Sequence, residues 1–514
     1  MSDIKNVLVV MLDSLQYNYL GCYGNEWIKT PTIDNLAKEA TLFENCYAEA
    51  NPTVPCRRSM LTGSYTLPFK GWGPLTQEET SVADILWGTG IQTALIYDAA
   101  PMHLPKYGFS RGFDYVKFVH GNELDEAHFE RDKLVSLDPD DYFEERAKKG
   151  IEPIVVKSMK LELANLLKHR QHWRSDEDTQ VATVMKSAMK YLEEEVDRTR
   201  PFFLWVDSFD PHEPWDPPSV FNPDLDYMYN PGYKGKNQIN PIPGLVEGRY
   251  TEEELHHIRM LYAEKITVVD KWVGKLLDKV RKLGLWEDTL IMVVSDHGEP
   301  LGNGEHGHGL IRKLRPWPYE ELVHIPVIVK MPGVGEGKKV KSFTQSCDVA
   351  PTILDYIMPK AAARVEGGGF MLVNQLTGED MTGKSLLPLI KGEVEKVRDF
   401  AIAGYYGFSW SIITEDYSFI HWLVNTTDGF ETTDMLQKVY DKAGVGLGEG
   451  TKGLQTDDMW TCTPHSEVIV PDSDELYDRK KDPFQLNNIM DKKPEKAAEL
   501  LKKLKLFMGE LVTY

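Results

Sequence analysis

Val7-Leu8-Val9-Val10-Met11-Leu12-Asp13 is an uninterrupted apolar run that ends on a carboxylate. Apolar residues without alternation read as a strand buried on both faces, as in a parallel sheet covered by helices. The run is far too short to span a membrane. Outward from it, Thr32–Ala40 (TIDNLAKEA) follows Pro31 as an amphipathic helix, and Arg57–Leu61 begins another that Gly63 closes. Val82–Trp87 is a third, stopped by Gly88 and Gly90, and Thr93–Tyr97 is the next strand. Phe202–Asp207, Leu290–Ser295 and Ile325–Met331 add core strands. This alternation predicts an α/β fold with a central mixed, mainly parallel sheet flanked by helices. Asn122 to Glu195 reads as a charged, mostly helical insertion or lid, and Pro211–Pro243 as a long loop beside a site. Thr251–Leu283 is a strongly periodic helix. From Asp399 the pattern changes to short alternating runs (Ala401–Tyr405, Trp410–Thr414, Tyr417–Trp422), with a last helix over Ala497–Leu511. We therefore expect a catalytic α/β domain over 1–397 and a small C-terminal antiparallel-sheet and helix domain over 398–514.

The composition, 42% hydrophobic and 27% charged over 514 residues, excludes global disorder and a membrane-embedded chain. A net charge of −21 repels nucleic acid and anionic membranes, so neither is expected as a partner. An anionic substrate then needs a local cluster of metal or basic groups. The opening run is not followed by a cleavage site, and the five cysteines are odd in number without CxxC pairing. A cytoplasmic protein with reduced thiols is the expectation, with a homo-oligomer left open.

Functional groups of parallel α/β sheets gather beyond the carboxyl ends of strands. Asp13, Asp207 and Asp296 sit there, and each alone reads equally as a cap or turn former. Asp296-His297-Gly298 changes the balance, because a carboxylate and an imidazole on adjacent loop residues can close on a divalent ion. Glu305-His306-Gly307-His308-Gly309 adds two imidazoles on a glycine-rich loop. In Asn51–Gly63 (NPTVPCRRSMLTG) a hydroxyl, Thr53, stands in a proline-stiffened turn before a helix, where backbone NH groups favour an anion and Arg57 can grip one by a fork of hydrogen bonds.

With these residues in place, the chain resembles the sulfatase family within the alkaline phosphatase superfamily of metal-dependent phosphate and sulfate ester hydrolases. Asn6–Asp13 is similar to its opening strand, Thr30–Ala40 to its TPxxDxLAxEG helix, and Thr53–Gly63 to its C/S-x-P-x-R signature with LTG. Ser295–Gly302 (SDHGEPLG) matches SDHGxxLG, and Tyr319–Pro326 parallels YEExxRVP with His324 in the arginine place. Cys347–Leu354, Gly383–Gly392 and Glu475–Pro483 match the closing motifs. The resemblance implies Asp13, Asp296 and His297 as metal ligands, completed by Thr53. It implies Arg57 holding nucleophile and substrate anion, His212 of Asp210–Pro214 near the leaving group, and a catalytic Lys313.

Departures from the family shape the functional expectation. Thr53 replaces the cysteine or serine that is oxidised to formylglycine, and oxidation of a threonine there gives a ketone that hydrates poorly. No formylglycine is expected. A threonine alkoxide attacks phosphorus readily, whereas a sulfated threonine would stall. The expectation is thus a metal-dependent hydrolase of phosphate di- or monoesters, or phosphonate monoesters, through a covalent threonine intermediate, acting on a small anionic ester. The alternative is a sulfuric-ester hydrolase, followed by a phosphoryl transferase and a non-catalytic metal-binding homologue. Position 14 is Ser, which with His297 favours Mn²⁺ or Zn²⁺ over Ca²⁺ or Mg²⁺. A second ion or a substrate contact is assigned to His308, His306, Asp207 or Asp210; Tyr97-Asp98-Ala99-Ala100 occupies the stretch where the family's GKWH segment is missing, and Tyr97 and Trp72 are candidate pocket walls. The loops at 117–190 and 211–250 are expected to shape the substrate's organic part.

Overall fold

The large sheet is built from β1 (Asn6–Leu12), β2 (Thr41–Phe43), β3 (Gln92–Tyr97), β4 (Tyr115–Phe118), β5 (Phe202–Ser208), β6 (Thr289–Ser295), β7 (Val327–Lys330) and β8 (Lys338–Val340). The computed structural model describes residues 5–104, 107–122, 125, 136–151, 153–303, 307–313, 317–335, 337–358, 381–423, 471 and 473–513. In space the strands run β8-β2-β7-β6-β1-β5-β3-β4. β1 pairs in parallel with both β5 and β6, while β7 enters antiparallel between β6 and β2. The sheet is therefore mixed and mainly parallel. Every residue of β1 is buried. Leu8, Val10 and Leu12 face one apolar layer, and Val7, Val9 and Met11 face the other. That is why the run lacks alternation: both faces are covered.

The first layer carries α1 (Pro31–Glu39), α3 (Pro153–Arg170), α4 (Gln180–Lys190) and α5 (Glu252–Lys282); the second carries α2 (Thr53–Thr62) and α6 (Val349–Ile357). α5 opens on a reciprocal cap between Thr251 and Glu254, which fixes the start of its periodic stretch. α2 begins a full turn earlier than the sequence reading of Arg57–Leu61. Pro55 lies in its first turn, where the missing NH is not needed, so Thr53 is helical rather than part of a preceding turn. No described helix is long and apolar enough to cross a membrane.

The C-terminal segment forms an antiparallel sheet, β9 (Ala401–Tyr405), β10 (Ser409–Ile413), β11 (Tyr417–Trp422) and β12 (Glu475–Asp478), in that order. α7 (Pro494–Thr513) lays Ala497, Leu500, Leu504 and Met508 on Ile402, Trp410, Ile412 and Phe419.

A buried polar clasp ties the end of this sheet to the segment that leads into β7. Glu320 accepts from Tyr47 Oη at 2.8 Å and bonds His324 Nδ1 at 2.9 Å, and Arg479, just past β12, approaches it to 3.6 Å. The guanidinium brings a positive charge to this carboxylate from far along the chain. Against the cost of burial, Arg479 and His324 hold the Glu320 carboxyl at about 2, below its ordinary 4.5. A depressed carboxylate stabilises the fold above its unfolded pKa and loses that contribution as pH falls through the folded one. Glu320→Gln is therefore expected to cost about 3 kcal/mol at neutral pH. In urea titrations the gap to wild type should shrink below about pH 4.5; a gap that stays constant down to pH 3 would refute the ionic origin.

Candidate active site

β1, β5 and β6 are neighbours in register, Leu12 lying opposite both Ser208 and Ser295. Their carboxyl ends therefore deliver Asp13, Asp207 and Asp296 to one place, all fully buried. Ligand atoms of Asp13, Asp296 and His297 lie within 4.8 Å of one another. Ser14 supports this group: its backbone adopts φ 60°, so its NH donates to Asp296 Oδ1 at 3.1 Å and its hydroxyl to Asp13 Oδ1 at 2.8 Å. His297 Nδ1 faces the Gly298 carbonyl at 2.7 Å, which places the proton there and leaves Nε2 bare. Burial lowers this imidazole to about 4, so it is neutral at physiological pH. Its Nε2 accepts from Thr53 Oγ1 at 3.2 Å. Burial, then the Asp296 charge, raise the Asp13 carboxyl to about 6 against the pull of Arg57. Two carboxylates, a neutral imidazole with a bare nitrogen and a hydroxyl suit a divalent cation, and carboxylates held at such cost are what an ion relieves.

Arg57 is placed differently from the expectation that it grips a substrate anion. Its Nε and Nη2 fork onto Asp207 at 3.0 and 2.8 Å, and Nη1 reaches Asp13 at 2.9 Å and Asp296 at 2.5 Å. Burial opposes its charge, but Asp207, Asp296 and Asp13 outweigh burial and keep it protonated. Asp207 is thus engaged through both oxygens by Arg57.

The other candidates for a second ion are also committed. Asp210 pairs with Lys265 Nζ at 2.7 Å and caps α4 through the Val181 NH. His308 stacks on Tyr319 at 3.7 Å, with Nδ1 on Glu321 and Nε2 on the Gln485 carbonyl. His306 lies outside the described residues. Among the described residues, Asp13, Asp296 and His297 form the one grouping of metal-ligating side chains. Tyr97 stands beside Asp207 in register with its hydroxyl on His103 Nδ1 at 2.9 Å, and Trp72 packs half-buried on the second apolar layer.

His212 stacks on Phe209 at 3.8 Å and meets the Glu213 carbonyl through Nδ1 at 2.6 Å. Burial drives its pKa well down, so the ring is neutral. Lys313 is fully buried against Glu213 at 3.0 Å and Glu299 at 3.2 Å, and close enough to Asp13 and His297 to influence both. Burial disfavours its ammonium, but Glu213 and Glu299 raise its pKa above the ordinary lysine value. Arg312 forks onto Glu213 as well. Lys265, inside α5, holds the His212 and Pro214 carbonyls at 2.8 and 2.7 Å and so fixes the histidine loop.

Glu213, Glu299, Arg312 and Lys265 were not singled out from sequence. The signals available were weak: the two glutamates follow the chosen histidines by one and two residues, and Lys265 falls on the apolar stripe of a periodic helix. Cys56, three residues after Thr53, gives its thiol to the Asp296 carbonyl at 2.8 Å, and the four described cysteines are unpaired thiols.

A family model described as Sulfatase matches residues 5–358. An arylsulfatase of Clostridium perfringens is 26% identical over 488 residues, covering 87% of this chain and 95% of its own. An N-acetylglucosamine-6-O-sulfatase of Bacteroides thetaiotaomicron is 23% identical over 512 residues, covering 84% and 80%. The crystal structure of a phosphonate monoester hydrolase of Agrobacterium radiobacter superposes with a TM-score of 0.64 at 19% identity, over 98% of this chain and 96% of that one. At that identity the likeness concerns the fold. The sequence relatives named for sulfate esters overturn the expectation of phosphate-ester hydrolysis and favour its alternative. The physical reason is that the choice between sulfur and phosphorus belongs to the charge of the whole pocket, and Thr53 is one uncharged member of it.

Proposed function

Because the chain belongs to the sulfatase family, we propose that it hydrolyses the sulfuric-ester bond of a small anionic substrate at the site around Thr53 and His297. The observation that carries this reading is the local charge. Five buried carboxylates, Asp13, Asp207, Asp296, Glu213 and Glu299, face three buried cations, Arg57, Arg312 and Lys313. Burial, then the Glu213 charge, raise the Glu299 carboxyl to about 8, so it is protonated at neutral pH and a divalent ion on Asp13, Asp296 and His297 would leave the set with one net positive charge. One net positive charge matches a monoanionic sulfate ester better than a dianionic phosphate monoester, and the relatives named for sulfate esters favour sulfate over the monoanionic phosphodiesters and phosphonates.

Asp13, Asp296 and His297 would hold the ion, with the Thr53 hydroxyl beside them, and the ion supplies charge to the non-bridging oxygens of the bound ester. Covalent sulfation of Thr53 would only create another alkyl sulfate. In this reading the Thr53 hydroxyl therefore orients a water for direct attack and needs no oxidation to formylglycine. The water oxygen bonds to sulfur as the bond from sulfur to the ester oxygen breaks on the opposite face. Lys313, kept protonated by its two glutamates, gives a proton to the departing oxygen and regains one from the proton that the attacking water releases, so the products are an alcohol and hydrogen sulfate. Neutral His212 orients the leaving group beside it.

The test is a comparison of rates with Mn²⁺-loaded protein on an aryl sulfate, an aryl phosphate, an aryl phosphodiester and an aryl phosphonate sharing one leaving group. kcat/KM for the sulfate is expected to exceed each of the others by at least about tenfold, about 1.4 kcal/mol of barrier. A phosphoryl or phosphonyl substrate in first place overturns the reading.

A further inference from the structure

We propose that Asp207 is a positioning residue: it holds Arg57 by the far edge of its guanidinium and limits its approach to Asp13 and Asp296, so that the guanidinium acts as an internal counter-ion that sets the affinity of the site for a divalent cation. The inference rests on the assignment of Asp13, Asp296 and His297 as the ion site.

The geometry is specific. Arg57 and Asp207 meet through two parallel bonds, Nε to Oδ2 at 3.0 Å and Nη2 to Oδ1 at 2.8 Å, with no side-chain exposure on either partner. A fork of this kind fixes the plane of a guanidinium as well as its position. The indole NH of Trp205 bonds the same carboxylate at 3.3 Å, which fixes Asp207 in turn. Held by that edge, Arg57 turns Nη1 toward Asp13 Oδ2 at 2.9 Å and Asp296 Oδ2 at 2.5 Å, two of the groups that would take the ion. Arg57 and a divalent cation thus draw on the same two carboxylates. Asp207 bears on the contest by occupying the other edge of the guanidinium: it absorbs part of the positive charge and restrains how far Nη1 can close on Asp13 and Asp296. A lysine at position 57 would carry the charge but could not present this fork.

The test measures Mn²⁺ binding itself, by isothermal titration of the full chain stripped of metal, for wild type, Asp207→Asn, Arg57→Met and the double variant. Asp207→Asn is nearly isosteric; circular dichroism verifies the fold of each variant, and Arg57→Lys serves where Arg57→Met does not fold. Asp207→Asn is expected to weaken Mn²⁺ binding at least tenfold, and Arg57→Met to strengthen it. The loss caused by Asp207→Asn should shrink at least threefold when Arg57 is replaced by Met or Lys, because Asp207 then has no fork to hold. Equal losses in all backgrounds would show that Asp207 acts only by its own charge and overturn the proposal. Unchanged affinity in Asp207→Asn would do the same. A wild type that binds no Mn²⁺ overturns the ion-site assignment together with the proposal, whereas additive effects on a site that does bind overturn the proposal alone.

Discussion

Asp13→Asn is expected to lower kcat/KM for the sulfate ester by about 10⁴-fold, equivalent to about 5.5 kcal/mol of barrier, while making the ion-free protein more stable. The two effects have one origin. The Asp13 carboxylate is fully buried beside Asp296, and its pKa is pushed to about 6 by that burial and that neighbour. Without an ion, holding the charge there costs stability, and the neutral amide removes the cost. With an ion, the same charge would be a ligand, and its loss would weaken the hold on the ion whose positive charge serves the non-bridging oxygens, a contribution of several kcal/mol. Thermal melts with and without Mn²⁺, beside steady-state rates, separate the two. The wild type should gain midpoint temperature on adding Mn²⁺, and the variant should start higher and gain little. A variant destabilised without the ion, or one that retains activity within tenfold, would contradict the role of Asp13.

Thr53→Ala is expected to lower kcat by about 10²- to 10³-fold with little change in KM, the size typical of removing one positioned hydrogen-bonding group at a reacting centre. Thr53→Ser should retain activity within about tenfold. Thr53 is helical and fully enclosed, with its hydroxyl 3.2 Å from the bare Nε2 of His297. Alanine keeps the first turn of α2 and removes only the oxygen, so an effect on kcat without loss of fold isolates the hydroxyl. Serine keeps the oxygen and loses a methyl group. Mass spectrometry of the peptide around Thr53, taken during turnover, is expected to show an unmodified threonine. A sulfated Thr53 accumulating there would replace direct attack by a covalent route, and undiminished turnover in Thr53→Ala would remove this residue from the mechanism.

The strand Asn6–Leu12, the carboxylates beyond three parallel strands and the Asp296-His297 pair were legible because each depends on a local pattern. Burial on both faces removes alternation, and functional groups of a parallel sheet gather past its strand ends, although Asp98, just past β3, instead accepts from the Phe209 NH and Asn122. α2 starts one turn before Arg57 because the proline-stiffened stretch before it is already helical from Thr53, Pro55 being tolerated in a first turn.

Pairings between charged groups distant in sequence were not legible. Asp207 and Arg57 are 150 positions apart, and Lys313 and Glu213 are 100 apart. Any of these side chains is equally a solvated residue, a ligand or a counter-ion until packing removes the water around it. The sequence by itself determined the α/β architecture and the family, and put Asp13 and the Asp296-His297 pair at strand ends, since strand burial and strand-end placement are set within a few residues. Only the tertiary structure decided that Arg57 belongs to Asp207 and the ion-binding carboxylates, that Asp210 and His308 serve the scaffold, and that Glu213 and Glu299 hold Lys313. A buried charge must find its partner in space, and the sheet order and loop packing alone determine which partner is within reach.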